Sequence, residues 1–202
     1  MKEQVQANYD RLARWYDLFA GSEKKFTAAG VRLLRVQPGE RVIEIGCGTG
    51  HALSWLKQAA GPGLSVGVDL SAGMLRVARN RVAGAGIPLI QADALKLPFR
   101  GKSFDAIFLS FTLELFPAPE SLLLECRRAL KPGGRIGVVA LQKSEALACR
   151  LYEWGHDRWP GTLDCRPIRV GETLEAAGFR VEKLEVEAMW GLPVGVAAAR
   201  LP

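Results

Sequence analysis

Histidine and paired cysteine are scarce in this chain. Only two histidines and four cysteines occur in 202 residues, and Cys47, Cys126, Cys149 and Cys165 form no C-x-x-C pair. Zinc-site spacing and a disulfide framework are therefore absent, leaving reduced, mostly structural thiols and no expected metal. No apolar run reaches the length of a membrane span, and the charged start MKEQVQANYDRLARWYD has no signal-peptide core, so the cytoplasm is the expected location. Internal repeats, low-complexity linkers and Lys/Arg blocks are missing as well. The net charge of +6 is diffuse, which argues against nucleic acid as a partner and leaves peripheral contact with an anionic membrane open. With 49% apolar and 24% charged residues, the composition is that of one globular domain over residues 1–202.

What is present alternates. Val5, Leu12, Trp15, Tyr16 and Phe19 recur at helical spacing, with Arg11 and Arg14 on another face, and a second helix runs through KKFTAAGVRLLRV. Gln37-Pro38-Gly39 then marks a turn, so residues 1–36 form N-terminal helices that belong to a cover. From there strands and helices follow in turn: RVIEIGC, His51 to about Ala60, LSVGVDL, Ala72 to about Ala85, PLIQADA, FDAIFLSF, APESLLLECRRAL and GRIGVVAL. Strands that are apolar on both faces and separated by helices imply a doubly wound, mostly parallel sheet with seven strands. At the tail, RVEKLEVEAMW and VGVAAARL are joined by Gly-Leu-Pro, which predicts a hairpin and an antiparallel edge strand.

The stretch VIEIGCGTGHA places three glycines where the first strand turns into its helix, the end at which open parallel sheets bind ligands. Glycine there lets a ligand rest on bare backbone N–H groups. A dinucleotide fingerprint would need glycine at position 51, where His51 stands, and a phosphate loop would need Gly-Lys-Ser/Thr. Neither is met. Glu44 would repel a pyrophosphate but suits a ligand with positive charge. Asp69 ends the second strand, where a carboxylate can accept both hydroxyls of a ribose, and Asp93 ends the third, where it can accept from an adenine amino group.

With YDRLARWYD, VIEIGCGTG, GVDLSAGML, ADALKLPF, SFDAIFLSFTLE and LKPGGRI in this order and spacing, the chain resembles the class I S-adenosylmethionine-dependent methyltransferases. The resemblance is to the branch with ubiquinone/menaquinone and phospholipid methyltransferases, and it covers about Tyr9 to Val139, with a family-like VGETLEAAGF beyond. It implies a Rossmann-like fold and S-adenosyl-L-methionine as cofactor. Gly46, Cys47, Gly48 and Gly50 would bed the methionine part, with Glu44 near its ammonium. Asp69 would hold the ribose, Leu70 and Met74 would flank the adenine, and Asp93 with Ala94 would meet its amino edge. Ser110 and Phe111 would face the sulfonium, and Tyr16 would close over it.

Methyl transfer from a sulfonium needs proximity, orientation and exclusion of water more than a base. Were a proton to be removed, His156, Asp157 and Glu114 are the candidates. The acceptor-side insertion is 142–171, where Leu147, Leu151, Tyr152, Trp154 and Trp159 could line a lid and Arg150, Arg158 and Arg166 could meet an anionic head group. These features point to a small amphiphilic or hydrophobic acceptor, a lipid, a quinol or another small molecule. A quinone methyltransferase is expected to continue beyond Pro202 with a more decorated lid, which reads against a quinone. Two alternatives stand beside this reading. A nucleic-acid methyltransferase would carry Asn/Asp-Pro-Pro-Tyr/Phe after the fourth strand, where this chain has SFTLELF, and a non-catalytic cofactor-binding module would not need all three acids. A thiol-dependent metalloid methyltransferase would draw on Cys149 and Cys165.

Overall fold

The computed structural model describes residues 9–10, 20–158 and 165–202. The expected N-terminal helix, apart from Tyr9 and Asp10, and the positions of Tyr16 and Trp159 lie outside them. Within the described residues one seven-stranded sheet has the order β3-β2-β1-β4-β5-β7-β6. Its strands are β1 (Val42–Ile45), β2 (Ser65–Asp69), β3 (Leu89–Gln91), β4 (Phe104–Ser110), β5 (Leu130–Leu141), β6 (Arg180–Met189) and β7 (Leu192–Arg200). The helices are α1 (Lys24–Leu34), α2 (His51–Ala60), α3 (Ala72–Arg81), α4 (Pro119–Ala129), α5 (Leu147–Arg158) and α6 (Val170–Ala176).

Strands β1 to β5 pair in parallel. Both faces of β1 are buried, and Ile43 and Ile45 join Phe104, Ile107 and Leu122 in one cluster. Val42 points the other way, toward Phe26, Leu34 and Phe108. An apolar strand thus receives helices on both sides, which is what the doubly wound reading requires. Gly30 lets α1 approach that second face, since a Cβ there would lie 2.6 Å from Val139 Cγ2 and 2.9 Å from Phe108 Cε2.

Several boundaries differ from the sequence reading. Helix α3 ends at Arg81, short of Ala85, because Val82 opens a turn closed by Ala85 N, with left-handed Gly84 inside it and left-handed Gly86 just after it. The stretch KPGG is drawn into β5 as an irregularity: the pairing jumps from Phe104↔Leu130 to Ala106↔Arg135. The hairpin turn is Trp190-Gly191, with φ of 52° and 83°, and Leu192-Pro193 already belong to β7. Two positive φ angles match the twist of a two-residue hairpin loop, so the turn precedes the predicted Gly-Leu-Pro. The antiparallel strand β7 is also interior, paired to β5 on one side and β6 on the other. Its run from Val194 to Ala199 is buried, whereas β6 carries alternating charges and takes the exposed edge.

Candidate active site

The turn after β1 is held by its own backbone. Gly46 N and Cys47 N both donate to Val68 O, at 2.8 and 3.0 Å, and Gly46, Gly48 and Gly50 have φ of 70°, 50° and 81°. Left-handed angles of this kind favour glycine. At Gly46 a Cβ would also collide with the side chain of Thr112, whereas at Gly48 it would meet nothing within 4 Å. Gly46 therefore serves packing, and Gly48 keeps an open surface. Gly50 caps α2 and packs toward Ala78.

Each acid occupies a different setting. Glu44 is 3% exposed, and its Oε2 has no hydrogen-bond partner among the described residues. Burial, then the neighbouring charge of Asp69, pushes its carboxyl well above the usual range. Asp69 is oriented by two amides, Oδ2 accepting from Gly48 N and Oδ1 from Ser71 N, both at 2.8 Å. Its pKa is raised because burial outweighs those bonds. Asp93 lies two residues past β3, where its Oδ1 accepts from Leu95 N at 2.9 Å and fixes a turn.

These residues converge on a cavity of about 320 Å³. Gly46, Gly48, Asp69, Leu70, Met74, Asp93, Ala94, Ser110 and Phe111 all border it. A smaller recess of about 60 Å³, bordered by Glu44, Cys47, Thr27 and His51, shares Gly46, Gly48 and Ser110 with the larger one. The two form one cleft along the carboxyl ends of β1, β2 and β4. Cys47 contributes no reactive thiol: its side chain is buried in a cluster with Leu53, Leu75 and Val82, and burial, then Glu44, raises its pKa well above the ordinary value. At the far side Phe111 has φ of 50°, a left-handed angle rare in a bulky residue, fixed by Phe111 N donating to Val139 O at 2.7 Å. Ser110 Oγ lies 2.8 Å from Thr27 Oγ1, which itself donates to Glu23 O, so α1 is tied to the strand end.

Sequence reasoning missed part of the border. Tyr9, Ser71, Thr112 and the stretch Leu115 to Ala118 also line the cavity. Ser71 was recoverable, since a serine before a helical run is an N-cap signal and Ser71 Oγ indeed accepts from Met74 N at 3.0 Å. Thr112 and the segment after it carry no comparable pattern. The candidate bases sit elsewhere. Glu114 is 1% exposed, with Oε1 accepting from Leu141 N at 3.1 Å and Oε2 unpartnered among the described residues, and it does not border the cavity. His156 lies in the last turn of α5, with Nδ1 3.2 Å from Asp157 Oδ1. On α5, Leu147, Leu151 and Trp154 are exposed and Tyr152 is half-buried. Among the described residues no cluster of His, Cys, Asp and Glu could hold a metal, and no helix is long and apolar enough to cross a membrane.

A bound sulfonium nucleoside fits this chemistry. The unpartnered Glu44 oxygen sits in the recess where an ammonium would satisfy it, the open Gly48 surface admits a chain, and Asp69 and Asp93 stand where hydroxyl and amino donors would meet them. The fold and the site together define an α/β enzyme that uses a nucleoside cofactor. A family model described as a methyltransferase domain matches residues 43–138. Ubiquinone/menaquinone biosynthesis C-methyltransferase UbiE of Burkholderia mallei (strain SAVP1) is 37% identical over 213 residues, which cover 96% of this chain and 86% of that protein. Demethylmenaquinone methyltransferase of Clavibacter sepedonicus is 39% identical over 139 residues, covering 66% of this chain and 56% of that protein. The chain thus belongs to the class I S-adenosylmethionine-dependent methyltransferases, with S-adenosyl-L-methionine as cofactor. The crystal structure of the [4+2]-cyclase SpnF has the same fold, with a TM-score of 0.81, 22% identity and coverage of 100% of this chain and 96% of that one. The fold alone does not specify the reaction.

Proposed function

We propose that the enzyme methylates a ring carbon of a small quinol-type acceptor with an apolar tail. One observation carries the reading: the wall of the larger cavity beyond the acids is Phe111, Leu115, Phe116, Pro117 and Ala118, and the one cation among the described residues bordering the cleft, Lys24, stands at the smaller recess. A site for a phosphate backbone would offer cations. An uncharged, largely apolar molecule meets no desolvation penalty against such a wall. The likeness to a quinone C-methyltransferase, which spans 96% of this chain and 86% of that protein, supports the same acceptor class and outweighs the sequence expectation that read against a quinone.

When bound, the cofactor supplies an electrophilic methyl group on a positively charged sulfur. Glu44 neutralises its ammonium, Asp69 takes the ribose hydroxyls and Asp93 the adenine edge, which fixes the orientation of the methyl group. Ser110 and Phe111, held by Thr27 and Val139, shape the cleft where the ring approaches. The chain's contribution is proximity and exclusion of water: the ring carbon would bond the methyl group as the S–CH3 bond breaks and the neutral thioether leaves, and the displaced ring proton would pass to solvent water once the cleft opens.

The test is label transfer from methyl-labelled cofactor to a short-tailed 1,4-naphthoquinol, its oxidised quinone, phosphatidylethanolamine and transfer RNA. The expected product is the ring-methylated quinol, with no label in the quinone. Label appearing in RNA or in the lipid head group instead would overturn the reading.

A further inference from the structure

Helix α5 presents its apolar residues to solvent. A surface helix ordinarily buries its apolar stripe and points charge outward. On α5 the inward stripe is mixed: Cys149 is buried with Sγ 4.0 Å from Gln142 O, Glu153 pairs with Lys143 at 3.0 Å, and Tyr152 packs onto the cluster that contains Phe111 and Leu141. The outward stripe is Leu147, Leu151 and Trp154, spaced i, i+4 and i+7 and exposed to 69%, 58% and 61%. At about 100° per residue, Arg158 falls inside that stripe and Arg150 at its edge, and both are exposed. The helix also carries two acids, Glu153 paired with Lys143 on the inward side and Asp157 at the margin of the outward stripe, its Oδ1 3.2 Å from His156 Nδ1.

A second exposed aromatic lies at the same end of the sheet. Trp190, 74% exposed, occupies the turn between β6 and β7. The start of β7 pairs with the end of β5, Val194 opposite Leu141, so this turn and α5 both flank the carboxyl end where the cleft lies.

We propose that α5, with Trp190 beside it, is a docking face for the surface of an anionic lipid bilayer. Large apolar side chains interleaved with arginines on one helical face are the composition of an interfacial helix. The apolar groups enter the acyl boundary while the guanidinium groups reach the lipid phosphates along their own stems. The net charge of +6 adds long-range attraction to such a surface. A second copy of the chain is disfavoured as occupant, since a two-fold contact centred on Trp154 would set Arg150 of one copy against Arg158 of the other. Docking here turns the cleft toward the bilayer. The proposal goes beyond the acceptor reading and does not depend on it, because it concerns binding without turnover.

Flotation with vesicles tests it, using phosphatidylcholine alone and phosphatidylcholine mixed with phosphatidylglycerol. The full chain is expected to float with the anionic vesicles, weakly with the neutral ones, and less as salt rises. The double variant Leu147→Gln/Leu151→Gln should lose about tenfold in vesicle affinity, as expected for two apolar side chains withdrawn from the boundary. Arg150→Gln/Arg158→Gln should lose the preference for anionic lipid. Circular dichroism and affinity for S-adenosylhomocysteine confirm that each variant is folded. On the unaltered chain, brominated lipids should quench tryptophan emission, a readout that needs no variant. Flotation with neither vesicle, flotation unaffected by both variants, or a dimer that the leucine variant converts to monomer would each overturn the proposal.

Discussion

Asp10 and Ser71 clasp the N-terminal segment to the loop that orients the ribose-binding acid. Ser71 Oγ donates to Asp10 Oδ1 at 2.5 Å, Gly73 N donates to the same oxygen at 2.8 Å, and Ser71 N donates to Asp69 at 2.8 Å. These bonds hold the Asp10 carboxyl below its usual range, the Ser71 bond most of all. Asp10→Ala should therefore weaken binding of S-adenosylhomocysteine about fivefold, the equivalent of about 1 kcal/mol for one lost hydrogen bond. Calorimetry checks this, and unchanged affinity would detach the N-terminal segment from the site.

The packing role of Gly46 and the open surface at Gly48 separate by substitution. Gly48→Ala meets no atom within 4 Å and pays only for its φ of 50°, about 1 kcal/mol of stability, while obstructing the surface where the cofactor chain would lie. Gly46→Ala adds a collision with Thr112. Thermal unfolding should show Gly46→Ala as the less stable variant, and Gly48→Ala as a near-native fold with cofactor affinity reduced more than tenfold.

Asp69→Ala removes a carboxylate that the structure gives two amide donors, Gly48 N and Ser71 N, besides the ribose hydroxyls proposed for it. Cofactor affinity should fall at least tenfold, and stability by about 1–3 kcal/mol for the donors left unsatisfied. Asp69→Asn keeps one acceptor oxygen and should lie between. If Asp69→Ala loses stability alone and binds normally, Asp69 is only a turn residue.

Much of this site was legible because its chemistry is local. The glycines, Asp69 and Asp93 sit at strand ends, where an apolar run stops and a polar residue begins, so period and position suffice to find them. Ser71 and Gly73 could be placed near Asp69, but their partner Asp10 lies 61 and 63 residues away, and no periodicity reports such a contact. The same holds for Thr112 against Gly46, a packing contact between two strand ends. The hairpin was legible as a hairpin, while its turn was misplaced because Trp190 gives no sign of the left-handed angle it adopts. Spacing also marks the apolar stripe of α5 but not the side to which it points, and Leu147, Leu151 and Trp154 are exposed.

Glu114 supplies a pH test of the fold. Burial raises its pKa from 4.5 to about 8, although Glu114 N and Leu141 N donate to it. An acid whose folded pKa is raised binds its proton more tightly in the folded state, so its contribution is fully present below pH 4.5 and is lost as pH rises toward 8. The loss at neutral pH is at most about 3 kcal/mol. Glu114→Gln should leave stability little changed near the lower pH and raise it at the higher one. Urea unfolding across that window checks the sign, and a uniform effect at all pH values would mean the carboxyl titrates alike in the folded and unfolded chain, so that burial does not raise its pKa.

The central claim is that the recess beside the glycine turn receives a cationic group on Glu44. Its carboxyl is buried, unpartnered at Oε2 among the described residues and held toward the protonated form by burial and by Asp69. Binding an ammonium there must favour the carboxylate, so a proton leaves as the ligand arrives, and affinity falls as pH drops through the free protein's Glu44 pKa. The direct measurement is calorimetric titration of S-adenosylhomocysteine in two buffers of different ionisation enthalpy, for the full chain and for Glu44→Gln. The account predicts proton release by the parent, none by the variant, and affinity at least tenfold weaker in the variant. Equal affinity with the same proton balance in both proteins would contradict it.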